Sequence, residues 1–254
     1  MTRSADPRAV SLTPYLHVDA DLAGASAGTE VVVDAEARRH LRTVLRLSVG
    51  ASCHAADGAG SHAPAVVSDD GLRLVDAART EAPPRPRLVV AQALAKGRKF
   101  DDVVRAATEV GADGFVPVTA ARSISRLDGK ADKVVARWQA VARAAAEQSR
   151  RPWRPAVADP TDVASLAGGP DTALLVAHPG GEPLHRRAAA VADRAEMVLA
   201  IGPEGGWTDV EVGDLVARGA HVVGLGPTVL RTEHAAAAAL AVLCAVCGRW
   251  DGPA

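Results

Sequence analysis

Cysteine is scarce in this chain of 254 residues: there are three, Cys53, Cys244 and Cys247. An odd and sparse set excludes the disulfide framework of a small secreted domain and makes reduced thiols the expectation. Aromatics are also few, with 2 Phe, 1 Tyr and 4 Trp, too thin a supply for a platform that stacks the bases of a single strand. No apolar run approaches the about 20 residues that span a bilayer, and the opening MTRSADPRAV lacks the apolar stretch of a signal peptide. The expected location is the cytoplasm. Nor does one sign of charge dominate: the formal net charge is −1, which excludes a protein that coats nucleic acid by bulk electrostatics. The 8 histidines show no H-E-x-x-H or comparable ligand spacing, so no metal is expected, and no G-x-S-x-G elbow is present.

What remains is the composition of a soluble globular chain, long enough for one large domain or two smaller ones. The near-zero net charge hides an asymmetry. Residues 81–160 carry 15 Lys and Arg against 9 Asp and Glu, a surplus of +6, whereas the segments on either side are acidic. The basic residues cluster as Lys96-Arg98-Lys99, Arg122-Arg126 and Arg150-Arg151-Arg154. That pattern suits phosphate, as it also suits a solvated helix face.

Punctuation divides the chain. EAPPRPR at 81–87 holds three prolines, which disfavour helix and interrupt a strand ladder, and it is the candidate linker. Before it, apolar stretches at Glu30–Val33, Ala65–Val67 and Leu72–Val75 alternate with turn signals, the pattern of a small, mostly β domain. One helix interrupts it, capped by Asp34 and carrying Leu41, Val44 and Leu45 on one face up to Gly50. After the linker, strands expected at Leu88–Leu94, Phe115–Val118, Ala173–Ala177, Met197–Ile201 and Val222–Leu225 alternate with amphipathic helices. One helix starts at Thr208, where Thr208 and Glu211 form a capping box, and the last runs from about Thr232 to Cys247. This alternation predicts a mostly parallel sheet covered by helices on both faces, with ligands bound beyond the strand C-termini.

The loops at those ends are unusual: Ala177-His178-Pro179, then Gly202-Pro203-Glu204-Gly205-Gly206, then Gly226 to Glu233. Glycines let a bound group approach bare peptide, and Gly202–Gly206 matches neither the dinucleotide nor the phosphate-loop fingerprint. A Rossmann-type oxidoreductase therefore lacks its glycine signature. Arg231 stands before an apolar helix, where a cation opposes the helix dipole and calls for a carboxylate or phosphate partner; Glu233 suits that dipole. Cys244 and Cys247 have CxxC spacing but lie late in a helix without a second ligand pair, and read as core residues. His40, among Arg38, Arg39, Arg42 and Arg46, sits on a face that either touches RNA or is simply solvated.

IGPEGGWTDVEV (Ile201 to Val212) and LGPTVLRTEHAA (Leu225 to Ala236) resemble the two signature loops of the RsmE family, the 16S ribosomal RNA uracil-N3 methyltransferases of the SPOUT superfamily. HLRTVLRLSVG, DGAG, KGRKFDDVVRAATEVGAD, ARS, WQAVARAAAEQSRR and AHP extend the resemblance over nearly the whole chain in the family's order. It implies an α/β fold: a PUA-like β-barrel over residues 1–82 that helps hold RNA, and a trefoil-knotted SPOUT domain over 83–254. It further implies a homodimer, S-adenosylmethionine as methyl donor, and uracil 1498 of the 16S RNA in the small ribosomal subunit as target. Carried across, the donor would be held by Ala177 and His178, by Ile201, Gly202, Pro203, Gly205 and Gly206, and by Leu225, Pro227, Leu230 and Thr232. Arg231 would stabilise charge on the base, while Glu233, Glu204 or Glu147 would take the N3 proton. RNA contact falls to His40, Arg42, Arg46, Lys96, Arg98, Lys99, Arg122, Arg150 and Arg151. The chain departs from the family pattern at Tyr15, Ala121, Thr228 and His234. A second reading is a knotted RNA-binding protein, or an RNA methyltransferase with a different target nucleotide.

Overall fold

The computed structural model describes residues 13–123, 129 and 131–251, with Glu36 and His40 described by their backbone alone. Arg126 and the opening decapeptide lie outside the described residues. The chain forms two compact units: one takes the residues up to Ala82 together with Arg150–Trp153, the other Pro83–Ser149 and the residues from Arg154 onward.

The first unit runs β1 (Tyr15–His17), β2 (Glu30–Val32), α1 (Ala35–Arg39), a π-helical turn His40–Val44, β3 (Ser52–Ala56), β4 (Ser61–Val67), β5 (Gly71–Leu74) and β6 (Arg79–Thr80). Its six strands form one sheet in the order β1-β3-β4-β5-β2, with β6 on β4. Strict alternation in β4 turns Ala63, Ala65 and Val67 toward a core shared with Leu16, Val31, Cys53, Leu72 and Leu74. The helix predicted up to Gly50 starts as read, since Asp34 Oδ1 accepts the Ala37 N–H at 2.7 Å. It ends earlier. Arg46 takes φ 54°, a left-handed conformation that no α-helix continues through, and Val44 is exposed rather than part of an apolar face.

Neither β1 nor β3 is visible to periodicity, because both are short and carry histidine. Tyr15 stacks on His54 with ring centroids 5.0 Å apart, His54 Nε2 pairs with His62 Nδ1 at 2.8 Å, and His62 Nε2 reaches Glu81 Oε1 at 3.1 Å. Arg150–Trp153, which the sequence reading places with the second region, completes this unit. The Arg150 guanidinium lies 5.3 Å over the Tyr15 ring and donates to Thr13 O, His17 Nε2 pairs with Arg151 O, and the Gly60 N–H donates to Pro152 O.

The second unit runs β7 (Arg87–Ala93), α2 (Lys99–Val110), β8 (Gly114–Thr119), α3 (Ala131–Gln148), β9 (Ala156–Val157), β10 (Thr161–Asp162), β11 (Thr172–Pro183), α4 (Leu184–Ala190), β12 (Glu196–Ile201), α5 (Asp209–Ala217), β13 (His221–Gly224) and α6 (Thr232–Val246). The sheet order is β10-β8-β7-β12-β11-β13, with β9 on β8. Every pairing in it is parallel. Period-two alternation feeds two cores. Leu88, Val90, Phe115, Leu175, Met197 and Leu199 face Phe100, Val103 and Val104 of α2, Trp138 of α3 and Leu240 and Leu243 of α6. Ala91, Ala93, Val118, Leu174, Val176 and Ala200 face Trp207 and Leu215 of α5. Cys244 is buried in the first of these cores, and Cys247 Sγ lies 4.0 Å from Met197 Sδ.

Three differences from the reading have a local physical reason. Arg87 already opens β7, so the linker ends a residue earlier. α4 was not foreseen, because LHRRAAA has no capping side chain. The loop expected after Ala177 lies inside β11: Ala177 and Glu182 both pair with Val223, and the residues between them bulge out. Gly181 makes this packing feasible, since a Cβ there would lie 2.6 Å from the Val223 carbonyl carbon.

Burial, followed by the charges of His62 and Arg150, lowers the His54 pKa to about 4 from 6.5. The unfolded chain therefore binds the proton first as pH falls. The stability contribution of the neutral ring is complete above 6.5, erodes as pH drops below that value and levels off below about 4. With solvent screening at the half-buried ring, the loss amounts to about 1–2 kcal/mol. Urea unfolding of the wild type and His54→Gln across this range is expected to give a flatter pH dependence in the variant. Equal slopes would reject the assignment.

Candidate functional site

Parallel strands bring their C-terminal ends to one edge, and three turns meet there. The first is the β11 bulge at 178–181, the second is 202–207 between β12 and α5, and the third is 225–231 between β13 and α6. Each contains a glycine in the left-handed region: Gly180 at φ 81°, Gly206 at 69° and Gly226 at 117°. A Cβ on any of the three would meet nothing within 4 Å, so bare backbone faces open space. The bulge, the 224–226 turn and the Ala238, Ala239 and Val242 face of α6 enclose a cleft of ≈ 530 Å³.

The second turn does not line that cleft but is tied to α6 by a hydroxyl. Thr232 Oγ1 donates to Gly202 O at 2.8 Å and accepts from Gln92 Nε2 at 2.9 Å. Gln92 is wholly buried on β7. Its one signal in the sequence is that it is the only amide in the apolar strand RLVVAQA.

Charge at this edge is paired in an order that spacing does not reveal. Lys99 Nζ lies 3.0 Å from Glu204 Oε1 and 3.5 Å from Glu233 Oε2. Burial pushes the Glu204 carboxyl up, but the Lys99 hydrogen bond and backbone N–H donors outweigh it and hold the pKa below the usual range. Glu233 is lowered chiefly by its own backbone N–H, with Lys99 contributing charge. Arg122 Nη1 donates to Gly205 O at 2.8 Å and to Trp207 O at 3.3 Å. The Thr208–Glu211 capping box is present as read. Glu211 also reaches the Ala121 N–H at 2.7 Å, a link the sequence reading missed. Arg231 is the N-cap residue of α6, exposed, with no side-chain hydrogen bond or ion pair among the described residues.

The expected donor-holding residues fall on these turns. His178 Nδ1 pairs with Pro179 O, next to Ala177. Ile201 and Pro203 are buried at the end of β12, while Gly205 is exposed, with Gly206 next to it. Leu225 and Leu230 pack on the core, and Pro227 is exposed between them. Glu147 pairs with Arg143 on α3. Of the expected RNA contacts, Lys96 and Arg98 are exposed beside this edge, whereas Lys99 and Arg122 are tied into it. His40, Arg42, Arg46, Arg150 and Arg151 belong to the first unit, where Arg42 Nη2 donates to Asp69 O.

Residues 82–244 match the model of the RNA methyltransferase domain family. Over 242 residues the chain is 39% identical to the ribosomal RNA small subunit methyltransferase E of Mycobacterium bovis, covering 89% of this chain and 90% of that protein. The chain belongs to the methyltransferase E family. It is therefore an RNA methyltransferase. A methyltransferase from Legionella pneumophila, solved in complex with the bound cofactor SAM, superposes with TM-score 0.81 at 25% identity, over 92% of this chain and 97% of that one. A ribosomal RNA small subunit methyltransferase E from Neisseria gonorrhoeae, bound to S-adenosyl methionine, superposes with TM-score 0.77 at 26% identity, over 92% and 98%.

In this chain, Thr232→Val keeps the side-chain shape and removes the hydroxyl, leaving the buried Gln92 amide nitrogen only its longer, 3.3 Å bond to Ala93 O. Stability is expected to fall by about 1–3 kcal/mol in urea unfolding, with Thr232→Ser close to wild type. An unchanged midpoint in Thr232→Val would show that the link contributes nothing.

Proposed function

We propose that this methyltransferase carries the methyl group of S-adenosylmethionine to N3 of uracil 1498 in the 16S RNA of the small ribosomal subunit. The observation that supports the reading is the edge itself: three left-handed glycines presenting bare backbone, and beside them Arg231, a cation with no side-chain partner among the described residues. The residues fit such a donor. Its adenine, ribose and amino-acid groups suit main-chain N–H and C=O contacts of the kind these glycine turns present. Ala177 and His178, Ile201 to Gly206, and Leu225 to Thr232 would hold it. Bound there, S-adenosylmethionine supplies an electrophilic methyl on a sulfonium.

The chain's own residues supply the rest. Neutral uracil carries a proton on N3, so that proton must leave as the new N–C bond forms. Arg231 stabilises the negative charge that spreads over N3 and the ring carbonyls. Glu233 takes the proton: its carboxylate stands two residues after Arg231 at the start of α6, with Oε2 3.5 Å from Lys99 Nζ, and its lowered pKa keeps it ionised at neutral pH. Glu204, engaged by Lys99, is the second carboxylate of the site.

The path of α6 supports a knotted SPOUT domain. The chain leaves the sheet at its edge strand β13 and returns to pack α6 on β12, β7, α2 and α4. The first unit, a six-stranded sheet carrying Arg42, Arg46, Arg150 and Arg151, is the RNA-holding PUA-like barrel in this reading. The working form is a homodimer in the cytoplasm. Among the described residues no helix is long and apolar enough to cross a membrane.

The test is transfer of labelled methyl to small subunits lacking the modification, followed by nucleoside analysis. Label is expected in 3-methyluridine, and Arg231→Ala is expected to lower turnover about 100-fold with the fold intact. Label in another nucleoside would assign a different target. Donor binding without transfer would leave the RNA-binding reading.

A further inference from the structure

The +6 segment, taken as one electrostatic patch, treats its lysines and arginines as equivalent, and the structure separates them. Lys99 Nζ lies within 3.0 Å of a carboxylate on the 202–207 turn and 3.5 Å of one on α6. Glu204 and Glu233 are therefore no farther apart at those oxygens than the sum of the two distances. Without the ammonium, two like charges would face each other there and push the turn away from α6. At the same turn, Arg122 donates to two carbonyls, and its stem packs on Gly205, where a Cβ would come within 3.3 Å of Arg122 Cβ and Cδ. Lys96 and Arg98 differ from both. Their side chains are exposed and make no hydrogen bond or ion pair among the described residues.

We propose that Lys99 is a positioning residue, tying the 202–207 turn to α6 so that the methyl donor finds its backbone contacts in place, and that it makes no contact with RNA phosphate. Arg122 holds the same turn through its carbonyls. Lys96 and Arg98 are the basic residues of this edge that face RNA. The inference rests on the reading that this turn holds the donor.

Lys99→Met, Lys99→Arg and a Lys96→Ala/Arg98→Ala double variant separate the possibilities. Calorimetry with S-adenosylmethionine is expected to show Kd raised about tenfold in Lys99→Met and largely restored in Lys99→Arg, which can still bridge two carboxylates. RNA affinity measured against salt should keep its slope in Lys99→Met, while the double variant should flatten the slope by about two phosphate contacts and leave donor Kd unchanged. A flatter slope with unchanged donor Kd in Lys99→Met would overturn the proposal in favour of phosphate contact. Equal loss in the methionine and arginine variants would also overturn it. A wild-type protein that does not bind S-adenosylmethionine at all would remove the reading beneath it, a result distinguishable from either of these.

Discussion

One hydroxyl joins three parts of the site that are far apart in sequence. Thr232 Oγ1 donates to the turn after β12 and accepts from Gln92, 140 positions earlier on β7. A hydroxyl can do both at once, whereas valine or alanine could do neither. Because Gln92 is wholly buried, the bond forms where an unmatched amide is costly, so the start of α6 is held in register with the middle of the sheet. The 202–207 turn and the start of α6, with Arg231 and Glu233, take their positions from that anchor.

Local signals were legible where local chemistry decides. The Thr208–Glu211 box and the Asp34 cap are each contained within a few residues, and the structure shows them as read. The parallel sheet was legible because its strands are apolar on both faces and separated by helices long enough for a crossover. β1 and β3 were not, since Tyr15, His17 and His54 satisfy one another and the 150–153 segment across the fold rather than along the chain. The continuation of β11 past Ala177 was hidden for the same reason: it depends on Gly181 meeting the backbone of Val223, a neighbour 42 positions away.

The candidate site was legible as a list of residues and not as a set of pairs. Glycine turns announce themselves, because few other residues tolerate that backbone. Charged side chains do not announce their partners. Lys99 and Arg122 read like Lys96 and Arg98 in a count of charge, yet the first two are fastened to a carboxylate pair and to carbonyls, and the others are exposed. Arg231 was legible because its position against the helix dipole is unfavourable unless something else balances it.

The short segment Arg150–Trp153 makes the first unit discontinuous in the chain. Its bonds to His17 and Gly60, and the guanidinium over Tyr15, form only after Trp153 has been synthesised. By then β7, α2, β8 and α3 of the other unit have already emerged. The N-terminal unit therefore cannot complete itself first, as a leading domain ordinarily does on the ribosome. A chain cut at Ala82 would lack the half-buried segment that its own first strand and the Gly60 turn bond.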